Sequence, residues 1–534
     1  MNTFLLFVAL IILICVFLNN ASFKVGMPVL LAFILFGLVL GNHGLLKLEI
    51  LNFGMAEKIS TAALIFIMFY GGFGTRWDSA KPVVAESVLL ATLGVILTAL
   101  LTGAFCHFVF QWSWVESLLL GSVVSSTDAA SVFSILRSRK LGLKGGLAPL
   151  LEMESGSNDP CSYMMTIIML SVLNGGITAG RVVWMFFAQL GIGALLGCLI
   201  AQLAVHVFNK IRFATSGFDS LFLMGVAVLA YAFPSMLGGN GYLSVYIVGI
   251  ILGNHELHNK KEMVHYFDGF TGLMQVLIFF MLGLLAHPAD LGGSILPAAV
   301  IFVALILLVR PISLAVLLLP FGKKYGFRQL ALLSLCGLRG AASIVFSIVA
   351  LSGVGGLQID VFNIVFCIVL LSIGLQGSLI PFAAEKLGLI DENSNVMITF
   401  TDFQEETDLQ FSEFVIPDGH SWISKRVMDL GIPKELLFCM IRRRDGTKVV
   451  PNGHTVIMDG DRIVTCSKAA KTVNTCIVRQ ETISAGSEFV GKELRHYPVE
   501  KAQVLLVQRG EDSLIPHGAT VLQANDVLFI NNSI

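Results

Sequence analysis

Residues 147–174 read LAPLLEMESGSNDPCSYMMTIIMLSVLN. The block is long enough to cross a hydrocarbon core of roughly 30 Å as a helix. Its first half nevertheless holds Glu152, Glu154, Asp159 and Pro160. Proline inside a helix removes one hydrogen bond and displaces the carbonyl four residues back, here that of Gly156, which leaves an oxygen beside Asp159. Glu154 and Asn158 lie one turn apart on one face, and Ser155 and Asp159 on another, so Glu154 is aimed away from Asp159. On this reading Asp159 is an exchanging carboxylate and Glu154 the partner of a buried arginine.

Outward from this block the chain repeats the same kind of element. Of its 534 residues, 55% are hydrophobic and 13% charged, too apolar for a soluble protein. Apolar blocks run near 3–18, 26–41, 59–74, 82–109, 114–136, 147–174, 181–208, 218–237, 241–253, 267–286, 294–319, 328–352 and 358–384, which predicts an all-α polytopic membrane protein of about thirteen helices. The first block has no Lys or Arg before it and many spans after it, so it is read as a span and not as a cleaved signal peptide. With the N-terminus outside, the cytosolic loops hold Lys24, Arg76, Lys81, the Arg137–Lys144 group, Lys210, Arg212, Lys260, Lys261, Lys323, Lys324, Arg328 and Lys386, against Lys47, Lys58 and Arg181 on the other side. The positive-inside rule therefore puts the C-terminal tail in the cytosol of a bacterial cell, the protein being multi-pass in the inner membrane. A formal net charge of −1 implies no nucleic-acid partner. The nine cysteines lack CxxC spacing and read as unpaired thiols facing a reducing cytosol; no cofactor is called for.

Asp128, Glu154, Asp159, Arg310 and Arg339 sit far from the ends of their blocks. Each costs about 2.5–3.5 kcal/mol at a helix centre on insertion scales, so they are functional candidates by default. Three acids and two bases leave one negative charge, the balance of a site for one small cation. Desolvation favours the neutral form of a carboxylate, so a proton and a metal ion compete for it, and that competition suffices for exchange. Gly121–Ser131 reads GSVVSSTDAAS, a hydroxyl-rich stretch in mid-span, and Cys336-Gly337-Leu338-Arg339-Gly340 puts two glycines and a charge in the middle of a later span. Paired interruptions in two halves point to a midplane site in an inverted-repeat transporter.

Thr127-Asp128, Glu154-Ser155-x-x-Asn158-Asp159, Arg310 and Gly337-Leu338-Arg339-Gly340, in this order through residues 1–386, resemble the monovalent cation:proton antiporter-1 family, the NhaP and sodium/proton exchanger group. The resemblance implies two inverted repeats, a dimerisation domain, and a mobile core with crossed, partly unwound fifth and twelfth helices. It implies that Asp159 carries the monovalent cation or the proton, that Asp128, Asn158, Ser155 and Thr127 assist, and that Glu154 pairs with Arg310. Members with Asn-Asp at this place are typically electroneutral. Two features depart from the pattern: Ala129 stands where the family usually has Pro, which removes one cause of unwinding, and residues 66–72 hold no third-span carboxylate.

After Gly388 the sequence turns charged and β-branched. Pro451-x-Gly453-x-Thr455-Val456 with Asp461 recurs as Pro516-x-Gly518-x-Thr520-Val521 with Asp526, and short apolar runs between turn residues predict small cytosolic α/β modules. The division expected is 1–387 membrane antiporter domain, 388–407 linker, and modules at 408–472 and 473–534. The first module resembles the TrkA-C (RCK_C) lobe of potassium-conductance regulators, and the second is a looser copy. No GxGxxG precedes them, so a nucleotide-binding Rossmann half is absent, while a small nucleotide-like regulator of the lobes stays open. The pairing looks like bacterial NhaP-type potassium/proton antiporters, which ranks K⁺ above Na⁺ as the ion exchanged for H⁺ and implies a homodimer with a role in potassium, pH and volume homeostasis. Members of that group often extend further, so a longer natural chain is expected. Arg442-Arg443-Arg444 reads as a solvated hairpin end. A proton- or sodium-coupled transporter of another solute is the alternative function. A ligand-gated channel lacks a TVGYG-like filter, and with no nucleophile–base pair or metal-ligand set the chain is read as a transporter and not an enzyme.

Overall fold

The computed structural model describes residues 29–41, 53–391 and 409–531, except 140, 176, 212–216, 287, 289–290, 355, 434–435, 445, 469–477, 498–502, 511 and 515, together with Ala9, Leu13–Cys15 and Phe17. Most of the expected first span, the loop residues Lys24, Lys47, Lys140 and Arg212, residues 392–407 of the expected linker and Cys476 lie outside the described residues. The chain divides into two compact units, Met1–Glu405 and Glu406–Ile534.

The first unit is helical: α1 Val29–Leu40, α2 Phe53–Gly74, α3 Lys81–Phe110, α4 Trp114–Val123, α5 Ala129–Ser138, α6 Leu147–Leu173, α7 Ala179–Lys210, α8 Phe218–Met236, α9 Gly241–Gly253, α10 Lys260–Leu285, α11 Leu291–Leu318, α12 Phe327–Leu335, α13 Ala341–Gly353 and α14 Val361–Lys386. Seven of these (α2, α3, α7, α8, α10, α11 and α14) are long and apolar enough to cross a membrane. The blocks 114–136 and 328–352 each prove to be two helices joined by non-helical chain, α4/α5 and α12/α13. π-helical turns at Leu90–Gly94, Leu305–Val309 and Ser372–Gln376 interrupt α3, α11 and α14.

Helices α2 and α9 pack backbone to backbone. A Cβ on Gly249 would lie 2.4 Å from the Phe69 carbonyl oxygen, and one on Gly253 2.1 Å from that of Phe73, so only glycine permits this approach. The loop between α5 and α6 forms β1 (Gly142–Leu143), which pairs antiparallel with β2 (Ile390–Asp391), just past the turn that ends α14. The Lys144 N–H also donates to the Leu389 carbonyl at 2.9 Å, and Leu143 and Leu389 are buried.

The second unit holds two antiparallel sheets of four strands with one topology. The first has the order β3-β6-β4-β5, from Leu409–Val415, Arg462–Lys468, Leu436–Arg442 and Lys448–Val449; the second has β7-β10-β8-β9, from Val478–Thr482, Val527–Asn531, Gln503–Arg509 and Asp512–Leu514. Each has a small core, Ile416, Phe438, Ile441, Ile457 and Ile463 in one, Ile483, Val507, Leu522, Leu528 and Ile530 in the other. The sequence repeat is therefore a repeat of fold. Among the described residues its only helical segments are short 3₁₀ turns, so where α/β modules were expected the described residues form β-sheet modules.

The recurring aspartates explain why the repeat is legible. Asp461 is fully buried, accepts from the Met458 N–H at 2.8 Å and pairs with Arg443 at 2.6 Å, while Arg443 also donates to the Val456 carbonyl at 3.0 Å. Asp526 is also fully buried and takes two bonds from Arg509, at 2.9 and 2.8 Å, and one from the Gln523 N–H at 2.8 Å, while Arg509 reaches the Val521 carbonyl. Arg443 is thus a structural clasp within the arginine run, and exposed Arg444 meets Asp459 at 3.4 Å. The Arg509 guanidinium holds the Asp526 carboxyl below the usual carboxylate range, against the desolvation that would raise it.

Hydrogen bonds to a charged group contribute about 1.5–3 kcal/mol each. Arg509→Ala should therefore speed amide exchange in β10 of the full-length protein by roughly tenfold or more. Since the folded pKa of Asp526 is the lowered one, this contribution is present above the ordinary carboxylate range and is lost as pH falls through the lowered value. The difference between wild type and variant should shrink in acid. Equal exchange rates at neutral pH would contradict the clasp.

Candidate functional site

The sequence between α4 and α5, residues 124–128, is non-helical, and so is 337–340 between α12 and α13. Interrupting a helix inside a membrane frees backbone groups that water cannot reach, and each must find a partner. The two breaks supply partners for each other. The Asp128 N–H donates to the Leu338 carbonyl at 2.8 Å, and the Arg339 guanidinium donates to the Ser126 carbonyl at 2.7 Å. The Arg339 N–H goes to Ser372 Oγ at 2.9 Å, and Gln376 donates to the Leu335 carbonyl at 2.8 Å. A Cβ on Gly340 would fall 2.0 Å from Asp128 Oδ2, so the second glycine of the motif is required by the crossing itself.

Helix α6 braces the first break. Ser155 Oγ accepts from the Ala129 N–H and donates to the Thr127 carbonyl, each at 2.7 Å, and Asn158 Nδ2 donates to Thr127 Oγ1 at 2.6 Å. Ser162 Oγ donates to the Ser122 carbonyl at 2.6 Å. Asp128 caps α5: its two oxygens accept from the Ser131 N–H at 3.1 Å and hydroxyl at 2.6 Å. The break thus forms with Ala129 in place of proline, because side chains bonded to residues 122–129 replace the lost helical bonds.

Asp159 Oδ1 accepts from the Ser126 hydroxyl, inside the first break. Asp159 is partly accessible, whereas Glu154 is 1% exposed and Arg310 4%. Glu154 and Arg310 approach to 2.5 Å, with Arg310 lying against Gly337, whose added Cβ would be 3.1 Å from Nε. The structure therefore gathers Thr127, Asp128, Ser155, Asn158 and Asp159 with Arg339 and Gly340 at one crossing, and holds Glu154 and Arg310 together beside Gly337. Pro160 stays within a continuous α6, and its own carbonyl accepts from Asn240 Nδ2 at 2.7 Å.

Ser126, Ser131, Ser372, Gln376 and Asn240 were not singled out from sequence. Ser126 and Ser131 belong to the hydroxyl-rich stretch already noted. Ser372 and Gln376 carried a signal of their own, two polar residues one turn apart inside an apolar span.

The sequence profile described as "Sodium/hydrogen exchanger, transmembrane" matches residues 7–386, and that of the "TrkA-C domain" matches 411–469 and 478–530. The chain belongs to the sodium/hydrogen exchanger family and carries a TrkA-C tail. It is 32% identical over 466 residues to the "K(+)/H(+) antiporter NhaP2" of Shewanella oneidensis, covering 86% of this chain and 80% of the relative. It is 31% identical over 503 residues to the "K(+)/H(+) antiporter NhaP" of Alkalimonas amylolytica, covering 92% and 86%. In fold it is similar to the sodium proton antiporter MjNhaP1 from Methanocaldococcus jannaschii, with a TM-score of 0.62 and 22% identity over 71% of this chain and 97% of that one.

Removing one member of a buried ion pair strands the other charge and typically costs about 3–5 kcal/mol. Glu154→Ala and Arg310→Ala should each lower the melting temperature of the detergent-solubilised protein and the amount inserted, while the double variant should lose less than the two single losses added together. Additive losses would mean that the two groups do not act on one another.

Proposed function

We propose that the chain is a secondary antiporter that exchanges K⁺, in preference to Na⁺, for H⁺ by alternating access. The observation that carries the reading is Asp159, a partly accessible carboxylate held by Ser126 at the crossing of two interrupted helices. Cation and proton occupy Asp159 in turn. Hydroxyl and carbonyl oxygens of the first break stand in for water around the ion, and Asn158 with Ser155 keeps Thr127 in place. Asp128 assists as a nearby negative charge while capping α5, and the Glu154–Arg310 pair holds α6 to α11 without carrying substrate. The preference for K⁺ follows from the relatives and the TrkA-C tail. Electroneutral exchange follows from the Asn158-Asp159 pair.

The same reading divides the chain at 387, 407 and 472, sets the protein in the bacterial inner membrane as a homodimer with its tail in the cytosol, and makes the tail modules regulatory, answering to a small nucleotide-like ligand. Support for regulation comes from the β1–β2 pairing. The segment leading to the tail is bonded to the loop that joins α5, behind Asp128, to α6, which bears Asp159. A ligand that binds two tail conformations unequally can act on those helices through this connection.

Asp159→Asn should abolish cation-driven proton flux in proteoliposomes while the protein still inserts. Substantial transport by this variant contradicts the reading. Truncation after Asp391, which keeps the β1–β2 pairing, should leave the order of preferred cations unchanged and alter how rate depends on pH or ionic strength. A changed cation order would make the tail part of the transport path.

A further inference from the structure

The first tail module carries two cysteines on neighbouring strands, Cys439 in β4 and Cys466 in β6. The register sets Leu437 opposite Cys466 and Phe438 opposite Thr465, then skips Cys439 to set Met440 opposite Val464. Cys439 is thus the extra residue of a β-bulge, a device that re-aims a side chain. Phe438 and Ile463 lie in the module's core, while Leu437 is 66% exposed on the other face of the sheet. Residues directly opposite each other share a face, so Cys466 belongs to that outer face with Leu437.

The bulge brings the two thiols together. The Cys439 thiol is hydrogen-bonded to that of Cys466, and it reaches the Leu437 carbonyl at 3.7 Å. Both cysteines are free thiols, Cys439 half-buried and Cys466 buried. The second module keeps the bulge without the sulfurs. There the pairing of β8 with β10 skips Leu505, and Asn531 stands at the place of Cys466. The fold of the module therefore does not call for two cysteines at this point, and their contact in the first module needs another reason.

We propose that Cys439 and Cys466 are a reversible thiol–disulfide pair, oxidised by low-molecular-weight disulfides. The Cys439 thiolate attacks one sulfur of the oxidant, which forms a mixed disulfide and releases one small thiolate. The Cys466 thiolate then attacks Cys439 Sγ, closing the protein disulfide and releasing the second. Two protein thiols are oxidised and lose their protons, one small disulfide is reduced to two thiols, and a reducing thiol pool runs the sequence backward. Cys439 takes the first step because it is reachable, and Cys466 the second because it is already in contact. Burial, with the Cys466 thiol beside it, pushes the Cys439 thiol above its ordinary value, so its thiolate is scarce at neutral pH and the first step is slow. The closed product is favoured all the same, since attack by a neighbouring thiol is intramolecular. Of the two modules, the first is the one that responds to oxidation.

The test equilibrates the full-length protein in detergent with mixtures of reduced and oxidised glutathione, blocks the remaining thiols with N-ethylmaleimide and digests the chain with trypsin for mass spectrometry. The tryptic peptides 435–442 and 463–468 hold the two cysteines. They should appear joined, with a mass two hydrogens below their sum, as the oxidised fraction rises. Excess reduced thiol should separate them again, and the oxidised protein should run as a monomer on a denaturing non-reducing gel. In Cys466→Ser, Cys439 should stop at the mixed disulfide with glutathione, and in Cys439→Ser, Cys466 should stay free. The main result is read on the wild-type chain, so it does not depend on how either variant folds. Absence of the joined peptides at every ratio, joining of either one to the peptide that holds Cys476, a disulfide-linked dimer, or glutathione on Cys466 in place of Cys439 overturns the pair.

Discussion

The hydrogen bond from the Asp128 N–H to the Leu338 carbonyl joins two chain breaks that neither helix could bear alone. An interrupted helix in hydrocarbon costs several kcal/mol for each backbone group left without a partner. The solution here is reciprocal. Each break supplies donors or acceptors to the other, and Ser155, Asn158, Ser372 and Gln376 complete the set from α6 and α14. Glycine at 340 is the steric condition for this contact, since any side chain would meet Asp128. The crossing is consequently a single cooperative unit, and Asp159 is positioned by it through Ser126.

Such a unit also explains why so many polar residues lie in spans otherwise built for lipid. Arg339 binds a backbone carbonyl in the first break, so its charge stabilises the geometry as well as balancing the acids. Glu154 and Arg310 compensate each other, apart from Asp159, the carboxylate proposed to exchange. A fixed pair in one place and an accessible acid in another is the arrangement exchange requires, because a carboxylate already committed to an arginine has less reason to accept a cation.

Much of this was legible in the sequence. Charges in apolar blocks exposed Asp128, Glu154, Asp159, Arg310 and Arg339, and the glycines at 337 and 340 marked the second break. The repeat of Asp461 and Asp526 disclosed two copies of one module before any strand was assigned. Other features were not legible, for reasons that are physical. Hydropathy averages over a block, so it joined α4 to α5 and α12 to α13, whose breaks are stabilised by residues far away in the chain. The π-helical turns change neither composition nor period enough to register. The β1–β2 pairing involves two residues on each side, and nothing local in Gly142-Leu143 announces a partner almost 250 residues later.

On the reading proposed here, one accessible carboxylate at this crossing binds one monovalent cation or one proton, K⁺ before Na⁺, in an electroneutral cycle. Proton flux in proteoliposomes, driven by a K⁺ gradient with the membrane potential clamped at several values and repeated with Na⁺, tests it most directly. The flux is expected to be larger with K⁺ than with Na⁺ and not to change with the clamped potential. Flux that depends on the potential, or that a K⁺ gradient fails to drive, would contradict it.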